Sequence, residues 1–164
     1  MDDRLPDIST DEILAARPEK QPVTPDRPYA FHREYERSAA GTVDPVATIF
    51  LTNRECPFRC LMCDLWKHTT DEMVSSGAIP RQIAYALERL PEARHVKLYN
   101  SGNFFDRRAI PAEDYEAIAA RVAGFETVII ENHPKLCGDP CRRFGNMISG
   151  DLEIALGLET VHTE

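Results

Sequence analysis

From residue 46 onward the apolar positions fall into two alternating periods. Short runs rich in branched side chains read as strands: Val46–Thr52, His95–Asn100, Thr127–Glu131 and Leu152–Leu158. Between them the spacing becomes helical. Over Pro80–Leu90, Ile83, Leu87 and Leu90 share one face, and Pro80 suits a first turn. Over Pro111–Ala123, Tyr115, Ile118, Ala119 and Val122 form one stripe, and Gly124 ends it. A shorter, irregular helical stretch covers Asp139–Phe144. Strands alternating with helices predict right-handed βαβ units, hence an α/β fold with a parallel sheet and helices outside.

Residues 1–44 follow neither period. They read as a polar, proline-rich arm, interrupted by Pro6, Pro18, Pro22, Pro25 and Pro28. A short helix is expected over Thr10–Arg17, capped by Ser9 or Thr10. Tyr29, Phe31 and Tyr35 give the end of the arm something to bury, and are expected to anchor it on the domain. The chain therefore divides into an arm, 1–44, and a core domain, 45–164.

The 164 residues suffice for one domain with a real core, and 43% of them are apolar. No apolar run approaches the ~20 residues a membrane helix needs. No signal peptide is visible, and the five cysteines are an odd number. A disulfide framework is thus not expected, and a reducing cytoplasm is. The net charge of −8 argues against tight, nonspecific nucleic-acid binding through this segment alone, because phosphate contacts need clustered cations.

The densest chemistry is Cys56-Pro-Phe-Arg-Cys60-Leu-Met-Cys63, a C-x3-C-x2-C triplet directly after the first strand. A cubane iron–sulfur cluster is usually held by four thiolates. Three close thiolates leave one iron open to a ligand. The competing readings are half of a zinc site completed by His68, Cys137 or Cys141, and buried thiols with no ligand. In an α/β barrel the functional residues sit at the carboxyl ends of the strands. Those ends carry the cysteine loop, Asn100-Ser101-Gly102-Asn103, Glu131-Asn132-His133 and Gly157-Leu158-Glu159-Thr160. A strand-end carboxylate can accept hydrogen bonds from an ammonium or from ribose hydroxyls. Cys137 and Cys141 form a separate C-x3-C pair with His133 four residues earlier. A second cluster or zinc site and a pair of buried thiols are both open, the thiols being the simpler reading.

At the triplet the chain resembles the radical S-adenosylmethionine (radical SAM) superfamily. The segment Thr48–Trp66 and the segment Lys97–Phe105 resemble the archaeosine synthase radical SAM subunit and its bacterial relatives. The Glu131-Asn132-His133-Pro134 and Leu158-Glu159-Thr160 segments resemble the branch containing the Elongator catalytic subunit. The resemblance implies a partial (βα) barrel with its active rim at the carboxyl strand ends, of which about four of about six units are legible here. It implies that Cys56, Cys60 and Cys63 hold three irons of a 4Fe-4S cluster, with S-adenosyl-L-methionine on the fourth. Met62 would lie near the adenine, where an aromatic is more common. Asn100, Ser101 and Gly102 would take the place of the glycine-rich segment beside the methionyl amine, and Glu131 and Glu159 would orient the cofactor. The implied activity is reductive cleavage to a 5′-deoxyadenosyl radical, served by a flavodoxin- or ferredoxin-like reductant, with tRNA or a modified nucleoside as substrate. The alternative is a noncatalytic iron–sulfur or zinc module. An incomplete core would also leave an open edge and an apolar face on the last strand, through which copies of the chain would associate.

Overall fold

The computed structural model describes residues 8–157. Five strands form one sheet in the order β1-β2-β3-β4-β5: β1 Ala30–Arg37, β2 Val43–Leu51, β3 His95–Asn100, β4 Thr127–Glu131 and β5 Asp151–Ala155. β2 to β5 pair in parallel, as the alternation of strands and helices requires. β1 is antiparallel to β2, in register from Ala30 opposite Phe50 to Arg37 opposite Val43. The sheet therefore begins inside the segment that reads as an arm. β1 escapes a hydrophobicity scan because its sequence, AFHREYER, carries two arginines, two glutamates and a histidine among its eight positions. Its alternation is between half-buried and solvated residues, which leaves a weak signal.

Side chains alternate across the sheet. On one face Ala47, Ile49, Leu51, Val96, Leu98, Val128 and Ile130 are buried in the core. They pack with Ile79 and Ile83 of α2 (Ala78–Leu87), Ile118 of α3 (Tyr115–Arg121) and Phe144 of α4 (Asp139–Gly145). Each such aliphatic or aromatic side chain stabilises the fold by roughly 1.5–3 kcal/mol through burial. The other face is polar. Lys97 is held between Glu34 and Glu36, and Thr48 donates to Glu34 Oε1 at 2.5 Å. Burial alone would depress the Lys97 pKa, but Glu36 and Glu34 raise it overall. At β5, which with β1 is an edge strand among the described residues, Asp151 and Glu153 are exposed. Leu152 and Ile154, on the opposite face of the strand, are half-buried against the core.

The helix bounds move for local reasons. α2 begins two residues before Pro80, which still occupies the first turn and so costs no hydrogen bond. Gly77 precedes it at φ +81°, and its N–H donates to Asp114 Oδ1 at 2.7 Å. The 111–123 helix opens as a 3-10 turn, Ala112–Asp114, before α3. Of the expected strand Leu152–Leu158, Leu158 lies outside the described residues. The arm helix α1, Thr10–Ala16, has a reciprocal capping box between Ser9 and Glu12. Tyr29 and Phe31 do anchor the arm, by a 4.7 Å stack on His68 and by packing on the core. Tyr35 does not: it is 64% exposed, with Arg33 lying over its ring at 4.9 Å.

One polar residue interrupts the apolar face of α2. Gln82 is fully buried; its Oε1 accepts from Thr52 N at 2.8 Å, and its Nε2 donates to Thr52 O and Pro25 O at 2.7 and 2.6 Å. It thereby fixes the carboxyl end of β2 and the arm together. Gln82→Leu keeps the volume but strands three backbone groups. A loss of about 2–4 kcal/mol is expected, measured as a lower urea midpoint; an unchanged midpoint would remove Gln82 from this role.

Candidate functional site at the carboxyl ends of the strands

The loop that follows β2 is tied down at both ends. Asn53 is fully buried and grips the backbone of Ser101: its Oδ1 accepts from Ser101 N at 3.2 Å and its Nδ2 donates to Ser101 O at 3.1 Å. The main chain then pairs with Thr70, which donates to Asn53 O and accepts from Glu55 N. Glu55, beside Cys56, collects three cations: Arg17 at 2.9 Å, Lys20 at 2.8 Å and Arg59 at 2.8 Å. Burial pushes its carboxyl up, but Lys20, Arg59 and Arg17 together hold it below the ordinary range. Arg17 also lies over the buried Trp66 ring at 4.6 Å. The arm thus braces the cysteine loop from outside.

Within the loop Cys56 and Cys63 are partly buried, Cys60 is exposed, and all three are free. Cys63 N donates to Cys60 O at 3.2 Å, closing a turn around the C-x2-C half. Burial pushes the Cys56 thiol up, and Cys60 and Cys63 add to the shift, so both lie within electrostatic reach of it. Among the described residues no three His, Cys, Asp or Glu side chains gather round one point, as a mononuclear metal would need. A cubane differs, because each thiolate sits on its own iron. His68 is engaged with Tyr29 rather than with the cysteines.

Gly102, in the turn after β3, faces Cys56. Its φ is +112°, and a Cβ there would stand 3.1 Å from Cys56 Cβ and 3.3 Å from Cys56 Sγ. Only glycine combines that backbone with that approach. The turn after β3 is therefore pressed against the first cysteine.

A cleft of about 420 Å³ opens beside the loop, lined by Phe58 and Cys60, Gly102 and Asn103, Glu131 to Pro134, and Gly157. It draws on the segments that follow all four parallel strands. Glu131, at the end of β4, is pushed up in pKa by burial; no cation pairs with it among the described residues. His133 stacks on Phe58 at 5.5 Å, and its Nδ1 accepts from Lys135 N, capping the turn Pro134–Leu136. Ser101 is buried behind Asn53. Asn100 is 1% exposed and neither amide atom has a partner among the described residues, yet strand alternation sets it on the face of Val96 and Leu98. Met62 is 76% exposed and lines no part of the cleft. Glu159 lies outside the described residues. Cys141 is buried, but Cys137 is exposed, because the turn before α4 carries it to the surface. Asn53 and Gln82 were missed as positioning residues; a glutamine inside an apolar helical stripe was the available signal for the second.

No protein-family model matches this chain, and no solved structure matches it. It is 28% identical over 131 residues to an uncharacterized protein of Methanocaldococcus jannaschii, MJ0550, an alignment covering 71% of this chain and 36% of the relative. The chain thus spans about a third of the relative's length.

Proposed function

We propose that this chain is the cluster-binding part of a radical SAM enzyme, built on a partial barrel. The observation that carries the reading is the contact between Cys56 and Gly102: the C-x3-C-x2-C loop and the turn after β3 meet at the mouth of a cleft. The donor set fits the group. Cys56, Cys60 and Cys63 would hold three irons of a 4Fe-4S cluster, and such a cluster with S-adenosylmethionine supplies a 5′-deoxyadenosyl radical for hydrogen abstraction. The chain's own residues bind and orient. Gly102, lacking a Cβ, lets the turn after β3 come close against Cys56. Glu131 offers a carboxylate from the wall of the cleft, suited to the ammonium or ribose hydroxyls of the ligand. Phe58 and His133 stack together on one side of the cleft.

The resemblance extends the proposal to a tRNA or modified-nucleoside substrate and a flavodoxin- or ferredoxin-like electron donor. Of the guanidinium groups around the loop, Arg59 is paired with Glu55 and Arg108 with Asp106, whereas Arg54 has no salt bridge among the described residues. A phosphate at this place would have to compete with those pairs for Arg59 or Arg108.

Glu131 gives a pH-dependent expectation. Its folded pKa lies above the unfolded value of about 4.3. Ligand affinity that depends on its carboxylate is complete above the raised pKa and falls as pH drops through it. Glu131→Gln is expected to abolish that pH dependence and weaken S-adenosylmethionine binding, while leaving neutral-pH stability equal or slightly higher, since the burial cost of the charge is gone. Equal affinity and an unchanged pH profile would remove Glu131 from the site.

Anaerobic reconstitution tests the reading itself. About four irons per chain are expected, the stoichiometry of one cubane. Stoichiometric zinc with no iron–sulfur absorbance would reject it in favour of a zinc module.

A further inference from the structure

Cys137 and Cys141 lie apart from the cysteine triplet in sequence, and the proposed function does not use them. Their surroundings are asymmetric. Cys137 is exposed, whereas Cys141, in the first turn of α4, is 7% exposed. Cys141 Sγ donates to Leu136 O at 3.4 Å. That carbonyl belongs to the peptide leading into Cys137, so the buried sulfur sits under the backbone of the exposed one. Burial pushes the Cys141 thiol up, and Cys137 adds to that shift. Gly138 between them is not helical, at φ −146° and ψ −141°, so the pair is not spaced along a continuous helix. Cys137 Sγ in turn donates to His133 O at 3.6 Å and accepts from Asn132 Nδ2 at 3.4 Å. Asn132 and His133 both line the cleft. A metal is a poorer fit here, because His133 Nδ1 is taken by Lys135 N and no third donor joins the pair among the described residues.

We propose that Cys137 and Cys141 form a reversible dithiol–disulfide couple on the wall of the cleft, oxidised by exchange with a low-molecular-weight disulfide. The exposed Cys137 thiolate attacks one sulfur of the disulfide. A Cys137–sulfur bond forms, the original sulfur–sulfur bond breaks, and one small thiolate leaves and takes a proton. Cys141 then loses its proton to solvent and attacks Cys137 Sγ, expelling the second small thiolate. Two protein thiols are oxidised by two electrons, and one disulfide is reduced to two thiols. Oxidation removes the thiol that Asn132 contacts, so the state of the couple is felt at the cleft wall. The inference stands on this pair alone and is independent of the cluster reading.

The test is equilibration of the whole chain in glutathione and glutathione disulfide, followed by acid quenching, alkylation and tryptic mass spectrometry. Lys135 and Arg142 bound a tryptic peptide, Leu136–Arg142, that contains both cysteines. The expected result is a shift of that peptide by the loss of two hydrogens, reversed by excess glutathione. Cys141→Ser should trap a stable glutathione adduct on Cys137, whereas in Cys137→Ser the buried Cys141 should stay largely unmodified. A persistent Cys137 adduct in the unaltered chain, a link from Cys137 to Cys56, Cys60 or Cys63, or two unreacted thiols in glutathione disulfide alone would each overturn the proposal.

Discussion

Gly102→Ala is expected to lower iron loading on the order of tenfold, while leaving a folded chain. The added methyl group meets Cys56 Cβ at 3.1 Å and Sγ at 3.3 Å, closer than ordinary packing. Alanine at φ +112° also carries backbone strain of about 1–3 kcal/mol. The strain falls on the turn and the clash falls on the cysteine, so metal loading should suffer more than stability. Gly124→Ala is the matched control, since nothing lies within 4 Å of a Cβ there. Iron per chain after reconstitution, read beside a urea midpoint, separates the two effects. Full loading in Gly102→Ala would mean that Cys56 is not held where the cluster needs it.

The cysteine variants should divide into two groups. Cys56→Ala, Cys60→Ala and Cys63→Ala are each expected to abolish the iron–sulfur absorbance, because two thiolates do not retain a cubane under reconstitution. Cys137→Ala and Cys141→Ala are expected to load normally, since neither lies on the loop against Gly102. Loss of loading in Cys137→Ala equal to that in Cys56→Ala would shift the donor set to the far wall of the cleft.

Much of the sheet was legible in the sequence. β2 to β5 are apolar on the helix-facing side, so branched runs such as Thr48–Leu51 and Val128–Ile130 announced them. β1 was not legible, because its residues meet a polar face where Glu34 and Glu36 hold Lys97. Charge pairing across a sheet leaves no hydrophobic period to detect. The cysteine triplet and the glycine turn were legible as motifs, and their contact was not. It depends on the left-handed backbone of Gly102 and on the Asn53 amide that grips Ser101. The place of Met62 near the adenine comes from the resemblance alone, and its side chain is exposed. The bracing of the loop by Arg17, Lys20 and Trp66 joins residues far apart in sequence. No local pattern encodes such pairs.

The open iron is the centre of the proposed function, and electron paramagnetic resonance of the reduced, cluster-loaded chain addresses it most directly. Addition of S-adenosylmethionine should change the cluster signal, because a ligand that binds the iron itself alters its electronic environment. An unchanged signal at saturating S-adenosylmethionine, with the cluster intact, would contradict an open iron beside Gly102 and Glu131.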